Sequence, residues 1–287
     1  MQVLSEQRSI LGESPLWHHA EQVFYWVDIV GRHVFRYDPG RAREEVVLSG
    51  ETVTSLSELS AGGLMLVTPQ RLCTLRQGET TTVVDVSLPD GVRTNDGKCD
   101  PRGRLWFGTM DLETSSPLGE LFVFDGESIR RVLDRLILSN GLGWSPSGDI
   151  LYHVDSIKRH LYRHRYDGDT GAIEGREVLV DMTGGPEVPD GLAVDVAGNV
   201  WVAMYDGWRI DVYDPSGRHI HREELDVQRP TSVAFGGEGL SDLYVTTASQ
   251  ELTADELDHQ PNAGLLLRLA PGIEGLPVAA FAVGIES

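Results

Sequence analysis

The residues from Glu13 to Asp28 and from Asn140 to Asp155 align without a gap, matching Trp17 to Trp144, Tyr25 to Tyr152 and Asp28 to Asp155. A third copy opens at Asp190 and runs Gly-Leu-Ala-Val-Asp-Val-Ala-Gly-Asn-Val-Trp-Val-Ala in the same frame. Weaker copies open at Thr54, Asn95 and Thr231. The Asn95 copy keeps Gly103 and Trp106 in register with Gly198 and Trp201, and the Thr231 copy carries an insertion before Leu243-Tyr244-Val245. Openings at 13, 54, 95, 140, 190 and 231 give steps of 41, 41, 45, 50 and 41 residues. A period of this size marks a fold assembled from one repeated supersecondary unit.

Each copy reads as strand, glycine-containing tight turn, strand, then a further strand such as Val34–Tyr37, Leu121–Phe124 or Ile210–Tyr213. Alternating β-branched and aromatic residues between Gly, Asp and Pro boundaries are strand and hairpin signals. No long 3.6-residue period bounded by caps stands out. Four-stranded units of this length, repeated radially, predict an all-β, six-bladed β-propeller filling residues 1–287 as a single domain. A β-sandwich gives no reason for steps near 41. The twelve residues before Glu13 and the apolar tail from Leu276 to Val283 are expected to close the ring by shared pairing.

Composition narrows the class further. No apolar run approaches the roughly 20 residues of a membrane helix, and the first residues have neither a basic segment nor an apolar core. Two cysteines, Cys73 and Cys99, make no disulfide framework and suit a reducing cytoplasm. A net charge of -20 opposes nucleic-acid binding.

In a propeller the innermost strand of every blade lines the central channel, so equivalent positions lie around one axis. The six opening positions are Glu13, Thr54, Asn95, Asn140, Asp190 and Thr231, and each carries a side-chain oxygen. One reading is that they are turn or strand-cap residues, which favour these types. The other is a hard-cation site: Glu13, Asn140 and Asp190 supply two carboxylates and an amide oxygen, a set suited to Ca²⁺, Mg²⁺ or Mn²⁺. His18 and His19 are expected to be solvated turn residues, His153 to pack between strands, His219 and His221 to be exposed, and Cys99 to be a packing residue. Asp28 and Asp155 are expected to form turns. Ser14 lacks the partners of a serine hydrolase.

The stretches Leu11-Gly12-Glu13-Ser14-Pro15, Arg93-Thr94-Asn95-Asp96-Gly97-Lys98, Gly108-Thr109-Met110, Ser139-Asn140-Gly141-Leu142 and Pro189-Asp190-Gly191 resemble the senescence marker protein-30/gluconolactonase/luciferin-regenerating-enzyme-like (regucalcin) family. The resemblance spans nearly the whole chain and implies the same six-bladed propeller. It also implies a sugar lactonase that hydrolyses an aldonolactone to the sugar acid and uses one divalent metal ion. Calcium comes first, with zinc, magnesium, manganese or iron as alternatives. Glu13, Asn140 and Asp190 match the family's metal positions, Asp190 its proposed general base, and Arg93, Asn95 and Glu113 its substrate contacts. The implied partner is a small-molecule sugar lactone, with no nucleic acid and no membrane. Aryl-ester or phosphotriester hydrolysis, and a non-enzymatic calcium-binding regulatory propeller, are the competing functions.

Overall fold

The computed structural model describes residues 1–282 as six antiparallel sheets of four strands each, a six-bladed β-propeller. After β1 (Gln2–Val3), blade 1 holds β2 (Gly12–His18), β3 (Val23–Asp28), β4 (His33–Asp38) and β5 (Arg43–Ser49). Blade 2 holds β6 (Ser55–Glu58), β7 (Leu64–Thr68), β8 (Arg71–Arg76) and β9 (Glu79–Asp85). Blade 3 is β10 (Val92–Cys99), β11 (Leu105–Asp111), β12 (Gly119–Phe124) and β13 (Ile129–Leu136). In blade 4 the strands are β14 (Ser139–Trp144), β15 (Ile150–Asp155), β16 (His160–Asp167) and β17 (Ala172–Asp181). Blade 5 has β18 (Val188–Val194), β19 (Val200–Tyr205), β20 (Arg209–Tyr213) and β21 (His219–Glu224). Blade 6 takes β22 (Pro230–Gly236), β23 (Asp242–Thr247) and β24 (Leu267–Leu269), and its fourth strand is β1.

Inner strands such as β2, β14 and β22 are buried throughout, whereas β9 and β21 are largely exposed. Burial on both faces explains why the inner strands lose the apolar–polar alternation of a half-exposed strand. By contact density the chain divides into two compact units. One contains Met1–Val53 and Gly184–Pro277, that is blades 1, 5 and 6; the other contains Thr54–Thr183, blades 2, 3 and 4, and the chain from Val278.

Aromatic side chains fill the seams between neighbouring blades within each unit. In the first, Tyr244 stacks on Phe24 and Trp17 at centroid distances of 4.2 and 6.0 Å. In the second, Trp106, Trp144 and Tyr166 meet edge to face at 5.9–6.0 Å. Such contacts add to the transfer free energy of large buried rings. The turn after each of two inner strands is set by one carboxylate. Asp100 accepts from the backbone N–H groups of Arg102 and Arg104, from Trp106 Nε1 at 2.9 Å and from Tyr166 Oη at 2.8 Å. Asp195 does the same for Ala197, Asn199 and Trp201 Nε1.

Two expectations need correction. The ring closes through β1, which pairs Gln2 with Arg268 and Val3 with Leu267, but among its described residues the tail forms no strand. Its backbone makes single links: Leu276 N–H to Val194 in the first unit, and a bridge between Phe281 and Leu59 in the second. Val283 lies outside the described residues. His18 is not a solvated turn residue; it ends β2 at 1% exposure, its Nδ1 accepting from Glu21 N–H and its ring 5.7 Å from Tyr25. The segment between β23 and β24 contains a helix, α1 (Ala254–His259), started by a reciprocal capping box between Thr253 and Glu256. A helix of six residues is too short to show a 3.6-residue period. Among the described residues no helix is long and apolar enough to cross a membrane.

Candidate functional site

Five of the six inner strands carry an extra residue at the position that opens the repeat. The register steps from Glu13↔Val27 to Leu16↔Tyr25, Thr94↔Thr109 to Gly97↔Phe107, Ser139↔Asp155 to Leu142↔His153, Pro189↔Met204 to Leu192↔Val202, and Pro230↔Thr247 to Ser232↔Thr246. A bulge interrupts the ladder and re-aims side chains, and such bulges gather at functional ends of sheets. Blade 2 lacks one, and Thr54 directly precedes β6. In blade 1 the bulge includes Ser14 in the left-handed region, φ 49°, which brings its N–H to Glu13 Oε2 at 3.1 Å. In blade 5 the bulge requires glycine. A Cβ on Gly191 would lie 1.9 Å from Ser232 Oγ on the adjacent inner strand.

The six opening positions are all buried, but they do not all do the same thing. Thr231 Oγ1 donates to Gly12 C=O at 2.5 Å, tying blade 6 to blade 1 just before Glu13. Thr54 Oγ1 and Thr94 Oγ1 sit 2.9 Å apart, tying blade 2 to blade 3. Asn95 Nδ2 donates to Ser139 C=O at 3.1 Å, tying blade 3 to blade 4. Both threonines therefore spend their hydroxyls on seams. Glu13, Asn140 and Asp190 remain as the oxygen-rich subset, at 8%, 5% and 7% exposure. Asn140 Nδ2 donates to Ser156 Oγ at 3.1 Å, which fixes the two sides of its amide.

Glu13 and Asp190 belong to the first compact unit; Asn140, Arg93, Asn95 and Glu113 belong to the second. Of the expected substrate contacts, Arg93 and Asn95 are joined directly: Arg93 Nη1 donates to Asn95 Oδ1 at 3.0 Å and to Thr94 C=O at 2.7 Å. Glu113 lies on the exposed β11–β12 loop. On β10, burial raises the pKa of Asp96 and lowers that of Lys98, and each charge partly offsets the other's shift. Burial also pushes the Tyr205 hydroxyl up to about 12; Arg229, whose guanidinium lies 5.2 Å above its ring, opposes this, while Asp206, Asp190 and Glu251 add to it.

Several residues that hold this region were not singled out for it from the sequence. Asp28 accepts from the N–H groups of Ile10, Leu11 and Gly31 at 2.8–3.0 Å, anchoring the segment that enters β2 before Glu13. Asp155 accepts from Ile137 and Leu138 and so anchors the entry to Asn140. Their matching places in the repeat signalled a shared role, but not which backbone they would hold. His153 Nε2 and Ser139 Oγ lie 2.9 Å apart, directly behind the carbonyl that receives Asn95. Among the described residues no group of three or more His, Cys, Asp and Glu could hold a metal ion. The expected set contains only two such residues and an amide, and its donors are oxygens throughout, chemistry that fits a hard divalent cation.

A family model for the SMP-30/gluconolactonase/LRE-like region matches residues 11–249. The chain belongs to this family. It is similar to regucalcin of Oryctolagus cuniculus, 33% identical over 283 residues and 94% of each chain, and to regucalcin of Gallus gallus, 32% identical over 98% of each. Among solved structures, a calcium-binding regucalcin from Agrobacterium tumefaciens superposes with a TM-score of 0.93 at 28% identity, covering 97% of this chain and 96% of that one. A luciferin-regenerating enzyme superposes with a TM-score of 0.89 at 27% identity, covering 98% and 97%. A gluconolactonase from Xanthomonas campestris, 19% identical with a TM-score of 0.75, shares the fold.

Proposed function

We propose that the six blades act as one domain, a cytoplasmic, divalent-metal-dependent lactonase that opens a sugar lactone to its acid. The observation that carries this reading is chemical: among the opening positions, Glu13, Asn140 and Asp190 bring two carboxylates and an amide oxygen, all buried, at or beside the bulge of their own blades. Membership of a family that includes gluconolactonases supports it. These three residues would hold the ion. When bound, a hard divalent cation supplies Lewis acidity toward a carbonyl and offsets the repulsion of two carboxylates.

The chain's own groups carry the remaining work. Asp190 accepts a proton from the attacking water, whose oxygen forms the new bond to the lactone carbonyl carbon. Arg93 and Asn95, already joined, donate to substrate oxygens and hold the ring in place. The C–O bond to the ring oxygen then breaks, that oxygen takes the proton Asp190 received, and the hydroxy acid leaves with Asp190 restored. Glu113 accepts from substrate hydroxyls.

The test is acid release from a panel of aldonolactones with Ca²⁺, Mg²⁺, Mn²⁺, Zn²⁺ or Fe²⁺, before and after chelation. Turnover should need metal and return when metal is restored, and Asp190→Ala should lower kcat about 10²–10⁴-fold with the fold intact. Wild-type activity in Asp190→Ala would refute its role. A second reading, a calcium-binding regulatory propeller, draws on the regucalcin relatives and the calcium-binding description of one of them. Calcium binding without hydrolysis of any lactone would favour it, whereas activity on aryl esters or phosphotriesters alone would move the substrate class.

A further inference from the structure

We propose that Asp111 is the positioning residue of the Glu113 loop, gathering the loop's backbone onto one carboxylate and so fixing where Glu113 is presented. Asp111 is the last residue of β11, opposite Val92, and its neighbour Met110 stands opposite Arg93. The chain must leave the sheet here and return at Gly119 to start β12, and Leu112, Glu113, Ser115, Pro117 and Leu118 are all exposed. Little apolar burial is available to give such a loop one shape, so its hydrogen bonds decide.

Those bonds converge on Asp111. Its Oδ1 accepts Glu113 N–H at 3.3 Å, and its Oδ2 accepts Ser115 N–H at 2.9 Å, Ser116 N–H at 2.7 Å and Ser115 Oγ at 3.4 Å. Its backbone carbonyl takes Thr114 N–H at 2.9 Å, closing a turn that places Thr114 in the left-handed region, φ 49°. Leu112 N–H donates to Gly91 C=O at 2.9 Å, and Asp111 N–H to Ile137 C=O at 3.1 Å, so the base of the loop is held to the segments entering β10 and β14. The Glu113 backbone is thus fixed relative to the strand bearing Arg93 and Asn95.

The carboxylate is buried while the loop it organises is exposed, the reverse of an ordinary surface turn. The Ser116 N–H leads a set of hydrogen bonds that hold its pKa below the usual carboxylate range. The group is therefore ionised at neutral pH, and its bonds are the charge-assisted kind. Asp111 touches no substrate in this scheme. It acts through Glu113, and its kinetic consequence rests on the lactonase reading above.

The experiment is a double-mutant cycle on the full, metal-supplied chain: wild type, Asp111→Ala, Glu113→Ala and the pair, with Asp111→Asn as the conservative variant. Kinetics use whichever lactone the panel identifies, and amide exchange is read at Glu113, Ser115 and Ser116. Asp111→Ala should raise KM about tenfold with kcat within about threefold, the scale of misplacing one or two polar contacts. Asp111→Asn should recover part of that loss, since its one carbonyl oxygen still accepts. The pair should be no worse than Glu113→Ala alone, because a residue acting only through Glu113 has nothing left to position. The three amides should exchange at least about tenfold faster in Asp111→Ala. Additive losses, or exchange that does not change, would overturn the proposal. If the wild type opens no lactone, the lactonase reading fails, and exchange in Asp111→Ala and Asp111→Asn still decides whether this carboxylate holds the loop.

Discussion

His164 packs against Tyr162 and His153, with ring centroids 6.3 and 6.2 Å away, and burial together with the charge of Arg176 pushes its pKa down to about 4. Burial, then His164, Arg176 and Lys158, hold His153 well below the ordinary histidine range as well. An unfolded chain protonates these rings near pH 6.5, while the fold refuses the proton until far lower. Between those values the unfolded state binds more protons, so stability falls as pH drops through that window. For His164 the loss reaches about 3 kcal/mol by pH 4 at 1.36 kcal/mol per pH unit. Thermal unfolding of wild type and His164→Gln at pH 7, 6, 5 and 4 checks this. The variant should lose less Tm on acidification, and parallel curves would contradict it. Side chains inside a repeat were legible by alignment: His153 falls in the frame of Trp26 and Ala203, and it is buried as they are. His18 was misread because its place beside a turn outweighed its place at the end of a strand. Asp111 was passed over because its four partners all lie within five residues downstream, in a loop with no periodic pattern.

The element that repeats is the inner strand with its turn, and sequence showed its outline better than its fastenings. Gly103 and Gly198 read as turn glycines, and they do occupy the left-handed region, at φ 81° and 84°. The aspartates three residues before them were less visible, because Asp100 draws Tyr166 from another blade, 66 positions away. The bulges are likewise absent from composition; they emerge when β2, β10, β14, β18 and β22 meet their second strands with one residue to spare. Asp100 supports a stability prediction. Replacing it with alanine removes the acceptor for Trp106 Nε1, Tyr166 Oη, Arg104 Nε and two backbone N–H groups, and leaves a partly buried guanidinium without its carboxylate, held by Tyr166 Oη and the carbonyls of Gly168 and Asp169. The loss should be about 3–5 kcal/mol, against about 1 kcal/mol for an average substitution. Urea unfolding that places Asp100→Ala within about 1 kcal/mol of wild type would show that water replaces the carboxylate.

At the scale of the whole chain, the period set the number of blades, while the way the chain's two ends are used came only from the structure. The first end adds β1 to blade 6 through two residue pairs and a Leu4 N–H bond to Leu266, with Gln2 and Val3 exposed. The later tail adds no strand, yet Phe281 is buried, stacks on Phe124 at 5.6 Å and joins a core cluster with Leu59, Met65, Leu105 and Phe107. A strand looks like the stronger closure, but magnitudes say otherwise. At about 0.5–1 kcal/mol per backbone hydrogen bond, the two exposed residues of β1 contribute about 1–2 kcal/mol. Emptying a core site of a phenylalanine costs about 3–5 kcal/mol through lost transfer energy and the cavity left behind. Phe281→Ala should therefore destabilise the protein more than deletion of residues 1–3, which leaves Leu4 on its core cluster, by about 1–3 kcal/mol in urea unfolding at equal protein concentration. If the deletion proves the more damaging, pairing at the edge of blade 6 outweighs packing around Phe281, and the ring is held by its ladder more than by its core.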